Sequence, residues 1–267
     1  MISGAQTAAF FDLDKTIIAK SSTLAFGRPF YHGGLINRRA VVRSAYAQFV
    51  FALSGADEDQ MDRMRDYLTA MCTGWDVQQI RDIVTETLHE IIDPIVYGEA
   101  VALIESHKAA GRDVVIVSSS GSEVVEPIGE MVGADHAIAT QMVVADGKYT
   151  GEIDFYAYGP YKAAAIRALA VERGYDLSRS YAYTDSITDL PMLEAVGHPT
   201  AVNPDRALRR EAQTRGWSVL AFSNAVPLKD RFQEMHAPGP AVTASIAAGA
   251  AAVAGAALLA TRRRGRT

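Results

Sequence analysis

The 267 residues carry 26 Lys and Arg against 31 Asp and Glu, a net charge of -5, and 49% are hydrophobic. That length suits one large α/β domain or a core with an insert, and it can bury a sizeable core without disulfides. The single cysteine, Cys72, excludes a disulfide scaffold and a Cys-cluster zinc site, and the mild acidity argues against a nucleic-acid partner.

Thr7 to Phe11 is a short apolar run and reads as a buried strand, ending in Asp12-Leu13-Asp14-Lys15-Thr16. From about Lys20 to Ile92 the pattern is helical, with apolar residues three and four apart near 36–53, 57–72 and 76–91. Tyr97 to Ala110 reads as a helix stopped by Gly111. Asp113 to Val117 is a buried strand, and Ser118 to Gly121 a turn into the next helix. Short strands are expected across 135–153, turned by Ala145-Asp146-Gly147-Lys148. A helix over Tyr161 to Arg173 follows, then a strand over Tyr181 to Thr184 ending at Asp185. A helix around Leu190 to Val196, a strand near Thr200 to Val202, a helix near 206–215 and a strand near 217–221 complete the series. Strands alternating with helices predict a parallel sheet covered on both faces, which places ligands at the carboxyl ends of its strands.

Three polar clusters fall at predicted strand ends: Asp12 with Asp14, Ser118, and Asp185. Carboxylates two apart on an extended segment point the same way. Held close, they need a cation between them, or one of them must hold a proton. Magnesium takes one or two carboxylates together with phosphate and water, and a carboxylate can itself attack phosphorus. Ser118, with amides at a helix start, could cradle a phosphate. Lys162, after Gly159-Pro160, could neutralise a phosphate oxygen. Asp185 and Asp189, four apart, could supply a further metal ligand and a partner for Lys162. None of the six histidines is paired at metal-ligand spacing.

Taken together these residues resemble the haloacid-dehalogenase superfamily of phosphohydrolases. Phe11-Asp12-Leu13-Asp14-Lys15-Thr16 matches its D-x-D-x-T motif. Val114 to Ser118 matches its hydrophobic strand ending in Ser or Thr. Lys162 stands where the third motif's lysine belongs, and Thr184 to Asp189 matches D-x-x-x-D. The resemblance covers roughly residues 7–222, and the helical stretch after the first motif is similar to the cap of the phosphoserine-phosphatase-like subclass IB. It implies a Rossmann-like parallel sheet with an inserted all-helical cap, and a phosphomonoester hydrolase using Mg²⁺. It further implies Asp12 as nucleophile and Asp14 as general acid and base. Metal ligands would come from Asp12, Asp14 through its carbonyl, and Asp185, and phosphate contacts from Ser118, Ser119 and Lys162. Asp189 and Thr16 are expected behind these groups.

The match departs from phosphoserine phosphatases at positions that read the substrate. The glutamate that grips the substrate amine falls on Ser21, beside Ser22. The second motif continues Ser119-Ser120 instead of Gly-Gly, and Thr188 stands in place of Asn. Ser21, Ser22 and Arg43 are therefore the candidate specificity residues. A small phosphorylated metabolite or a lipid-phosphate head group is the expected substrate. Phosphoserine itself, transfer to an acceptor other than water, and a non-catalytic regulatory protein remain alternatives. The oligomeric state is left open.

The expected domains are a catalytic core over 1–18 and 93–226, a cap over 19–92 and a linker over 227–240. Residues 241–260 hold eleven alanines and no charged side chain, and Arg262, Arg263, Arg264 and Arg266 follow. Twenty residues can span a bilayer as a helix, though this stretch is only marginally apolar, so it reads as a transmembrane or Ala-rich helix. Met1 to Gln6 lack the positive charge of a secretory signal. The catalytic part is thus expected in the cytoplasm; the transmembrane reading of 241–260 would anchor it to the inner face of the cell membrane, and the alternative is an Ala-rich helix packed on the domain or on a partner.

Overall fold

The computed structural model describes residues 6–36, 66 and 69–224. Seven strands, β1 (Ala8–Phe11), β2 (Asp113–Gly121), β3 (His136–Ala145), β4 (Lys148–Phe155), β5 (Tyr181–Thr184), β6 (His198–Val202) and β7 (Ser218–Leu220), form one sheet. Their order is β4-β3-β2-β1-β5-β6-β7. Only β3 and β4 pair antiparallel; every other neighbouring pair is parallel. Eight helices are described: α1 (Ser22–Ala25), α2 (Gly27–His32), α3 (Val77–Ile92), α4 (Gly98–Ala109), α5 (Ser122–Val132), α6 (Pro160–Arg173), α7 (Leu190–Glu194) and α8 (Arg206–Arg215). Among the described residues no helix is long and apolar enough to cross a membrane.

The central strands are apolar without interruption because both faces of the sheet are covered. All of β1 is buried, as are Val114 to Val117 of β2. On one face Phe10, Val115 and Val117 pack with Ile166 of α6, Met192 and Leu193 of α7, and Leu208 of α8. On the other, Phe11 stacks on Tyr183 with ring centroids 4.5 Å apart, and Tyr183 meets the buried His107 of α4. Arg112 donates to His107 Nδ1 at 2.8 Å, so the ring proton sits on Nε2 and goes to the Tyr183 hydroxyl. Burial, helped by Arg112, lowers His107 to about 4 and keeps it neutral.

The expected turn at Asp146-Gly147 is present, with φ of 49° and 76°. Positive φ at both central residues matches the twist of the two strands, and Gly adopts it without penalty. One expectation fails at Ser118 to Gly121. These residues continue β2 as extended chain, with a register shift against β3 between Ser118 and Gly121. The following helix starts only at Ser122. The extension is held from both sides: the Thr140 hydroxyl donates to the Ser119 carbonyl at 2.7 Å, and the Ser120 amide to Ser118 Oγ at 3.2 Å.

After β1 the chain turns at Lys15, whose φ is 61°. The Leu13 carbonyl there accepts from the amides of Thr16, Ile17 and Ile18. The chain then departs from the sheet and returns alongside itself. Ala19 donates to the Ile95 carbonyl at 2.7 Å, and Tyr97 to the Ile17 carbonyl at 2.9 Å. Inside this insert α3 packs on both α2 and α5. The residues leading into α3 and its first residue pair with the β3–β4 hairpin: Gly74 donates to Tyr149 at 2.8 Å, Tyr149 to Trp75 and Val77 to Gly147 at 3.0 Å each. The buried Glu123 of α5 accepts from the Tyr149 and Ser122 hydroxyls and lies 3.8 Å from Arg81 of α3. Arg43, the helix expected near 36–53, nearly all of that near 57–72, and the segments 227–240, 241–260 and 261–267 lie outside the described residues.

Candidate active site

Strand register sets the site. Phe11 pairs with Ile116 on one side and with Tyr183 on the other. One residue beyond Phe11 is Asp12; two beyond each partner are Ser118 and Asp185. The carboxyl ends of three adjacent parallel strands thus carry all three polar groups along one edge. The Asp12 amide is tied to the Tyr183 carbonyl at 2.9 Å.

Lys162 reaches this edge from the first turn of α6. Gly159 precedes that helix with φ 52° and ψ -124°, a conformation suited to glycine, and Pro160 starts it. Lys162 is 2% exposed, and its Nζ lies 2.7 Å from Asp12 Oδ1 and 2.8 Å from Asp189 Oδ2. The same Asp189 oxygen accepts from the fully buried Thr184 hydroxyl at 2.8 Å. A buried ammonium is tolerable only with such partners. Burial lowers the Lys162 pKa, but Asp12 and Asp189 outweigh it and raise the value well above that of a free lysine.

Burial raises the Asp12 carboxyl above the usual carboxylate range. Lys162 opposes the rise, and the negative charges of Asp189 and Asp185 add to it. Asp185 is raised to about 6, mainly by burial and then by Asp189 and Asp205, with Lys15 acting the other way. Asp14 is also raised by burial, against donation from the Ser22 amide and the Ser21 hydroxyl. Asp12, Asp185 and Asp189 thus crowd around the buried Lys162 ammonium, with Lys15 opposing Asp185 from further off. Among the described residues no three His, Cys, Asp or Glu side chains gather closely enough to hold a metal by themselves. Crowded carboxylates, too few for a closed protein cage, fit a magnesium ion that completes its shell with carbonyl, phosphate and water.

The other expected residues take varied places. Ser118 is 1% exposed, whereas Ser119 is exposed and engages Thr140 through its carbonyl. Thr16 is fully buried, and its hydroxyl has no hydrogen-bond partner. Ser21 and Ser22 both serve Asp14. Ser22 differs from the expected substrate contact: it is fully buried, its amide donates to Asp14 Oδ1 at 2.8 Å, and its hydroxyl is engaged by Ser120.

Sequence reading missed Asp205. Its carboxylate caps α8 by accepting from the Leu208 amide, and it also accepts from the Ile187 amide, both at 2.8 Å. Its own amide donates to the Asp185 carbonyl at 2.8 Å. Two of these bonds, to Ile187 and Asp185, therefore fix the loop that carries Asp185 and Asp189. The signal was available, since Asp205 sits between a strand and a helix, as the other site residues do. Replacing Asp205 with alanine is expected to cost about 1–2 kcal/mol in thermal unfolding. With Asp185 as a magnesium ligand, it should also raise the magnesium concentration needed for half-maximal turnover by about 10-fold or more, the usual effect of losing a group that orients a ligand. Unchanged magnesium dependence would restrict Asp205 to helix capping.

The family model for haloacid dehalogenase-like hydrolases matches residues 9–194. The inhibition of morphological differentiation protein of Streptomyces azureus is 66% identical over 97% of this chain and 95% of its own length. A probable phosphatase of Mycobacterium tuberculosis is 63% identical over 97% of this chain and 90% of its own. A solved Bordetella pertussis protein of unknown function superposes with TM-score 0.72 at 28% identity, covering 81% of this chain and 98% of that one. A substrate-bound phosphoserine phosphatase shares the fold at 18% identity and TM-score 0.58, over 86% and 98%. The chain belongs to the haloacid dehalogenase-like hydrolases. It is a phosphatase of the phosphoserine-phosphatase-like branch.

Proposed function

We propose that the protein hydrolyses a phosphomonoester through an aspartyl phosphate on Asp12, with Mg²⁺ as cofactor. The observation that carries this reading is the buried Lys162 bridging Asp12 and Asp189 beside the strand ends that bear Ser118 and Asp185. An Asp12 oxygen attacks phosphorus. The bond from phosphorus to the leaving oxygen breaks, and that oxygen keeps the electron pair and takes the proton of Asp14. Water then attacks the same phosphorus and gives a proton to Asp14, and the bond to Asp12 breaks to release phosphate. The raised pKa of Asp14 supports the acid role, because a carboxyl must hold a proton near neutral pH to donate one.

Ser118 and Lys162 hold phosphoryl oxygens, with Ser119 beside them, and Asp189 aims Lys162. Asp12, the Asp14 carbonyl and Asp185 would hold Mg²⁺, which supplies positive charge against the phosphate oxygens. Residues 1–18 and 93–226 act as the core and 19–92 as a cap over it. The substrate class is a small phosphorylated metabolite; a lipid-phosphate head group is the variant that a membrane-bound 241–260 would favour. The test is a screen of phosphomonoesters in Mg²⁺, followed by acid quench during turnover and peptide mapping. Phosphate on the peptide containing Asp12 is expected. Turnover with phosphate on another residue would overturn the mechanism.

A further inference from the structure

The segment after the first motif and the end of β2 meet in a closed set of hydroxyl contacts. Ser22 Oγ and Ser120 Oγ are 2.8 Å apart, and Thr23 Oγ1 is 3.4 Å from Ser120 Oγ. Ser22 is fully buried and Ser120 is 8% exposed. Each serine is also bound through its main chain to a group of the site. The Ser22 amide donates to Asp14 Oδ1 at 2.8 Å, and the Ser120 amide to Ser118 Oγ at 3.2 Å. An unbroken path thus runs from Asp14 through Ser22 and Ser120 to Ser118, joining two segments 98 residues apart in sequence. Ser22 opens α1, the first helix of the insert, whereas Ser120 belongs to the sheet.

We propose that Ser22 and Ser120 are positioning residues that hold Asp14 in register with the phosphate cradle at Ser118. This rests on the reading of Asp14 as the general acid. The leaving oxygen is fixed in space by the cradle that grips its phosphoryl group, so a proton donor is useful only if its distance from that cradle is set. Among the described residues no side chain in direct contact with Asp14 carries a positive charge that would do so; its carboxylate is held by the Ser22 amide and by the Ser22 and Ser21 hydroxyls. Ser22 can be held in place by its hydroxyl, and that hydroxyl is bound to Ser120. Removing either hydroxyl breaks the Ser22–Ser120 bond, and the tie between the two ends then relaxes. A misplacement of about 1 Å costs on the order of 10²-fold in rate.

The test uses the full chain with Mg²⁺ and two substrates. 4-Nitrophenyl phosphate has a leaving group that departs without a proton, and phenyl phosphate has one that needs it. In Ser120→Ala and Ser22→Ala, kcat/KM on phenyl phosphate is expected to fall by about 10-fold or more and on 4-nitrophenyl phosphate by less than about threefold, since kcat/KM ends with departure of the leaving group and only the first ester depends there on general-acid placement. The double variant should be no worse than Ser22→Ala alone, because Ser120→Ala removes only the bridge that Ser22→Ala has already broken. Ser120→Thr keeps the hydroxyl and is expected to keep the wild-type ratio of the two rates, which separates loss of the bridge from disturbance of the strand. Equal losses on both substrates, or losses that multiply in the double variant, would overturn the proposal while leaving the phosphatase mechanism standing. If the wild-type protein shows no Asp12-dependent turnover of either ester, that mechanism falls first and the positioning role with it.

Discussion

Turnover of a phosphomonoester by the Asp12→Asn protein is expected to fall by at least about 10⁴-fold, the scale on which loss of a nucleophile acts. The amide has the shape of the carboxyl and can still accept from Lys162, whose Nζ is 2.7 Å away, so the fold should persist. It cannot form an acyl phosphate. Initial rates in Mg²⁺, beside a thermal unfolding curve within a few degrees of wild type, check both halves. Full activity would exclude Asp12 as the attacking group, whatever the geometry around it.

Replacing Lys162 with methionine is expected to damage both stability and rate. The side chain is 3% exposed and is the only cation in direct contact with Asp12 and Asp189 among the described residues. Removing one partner from a buried charge cluster costs about 3–5 kcal/mol. For a domain of this size that corresponds to a fall of roughly 6–20 °C in unfolding temperature. The rate should drop by about 10²–10³-fold, the loss seen when a preorganised charge stabiliser is removed. Magnesium should restore more of the stability than of the rate. A cation can screen the orphaned carboxylates but cannot reach round the phosphoryl group from the side that Lys162 occupies. Wild-type rates in this variant would exclude phosphate contact by Lys162.

The sheet and the site edge were legible because they obey local rules. Thr7 to Phe11 and Asp113 to Val117 are unbroken apolar runs, and such runs buried on both faces end where the chain becomes polar. Asp12, Ser118 and Asp185 were therefore found from strand ends alone. Lys162 and Asp189 were singled out from a helix start after Gly159-Pro160 and from a four-residue spacing to Asp185, and the family motifs strengthened both. Their meeting needs α6 and the loop after β5 to converge, and no local pattern encodes that. Ser118 to Gly121 was read as a turn because Ser and Gly favour turns. Pairing with β3, including the Thr140 hydroxyl on Ser119, overrides that preference. The role of Ser22 was hidden for a related reason: a serine's partner 98 residues away leaves no periodic trace. Asp205 was readable as a helix cap, but not as the clamp on Ile187.

The paired ends of the insert carry a consequence of their own. Ala19 and Tyr97 are cross-linked to Ile95 and Ile17 by main-chain hydrogen bonds, which depend on no particular side chain. The sheet therefore meets the intervening stretch through a fixed two-stranded stem. The entropy of closing a loop on such a stem grows only with the logarithm of its length. What lies above the stem can lengthen, shorten or be exchanged between relatives at small cost to the machinery beneath. In this chain two ties resist such exchange: the start of α1, bonded to Ser120 through Ser22, and α3, fastened to α5 and to the hairpin. A lineage altering its substrate range would therefore be freest to vary the stretch between α1 and Gly74, leaving both tied ends as part of the inherited frame.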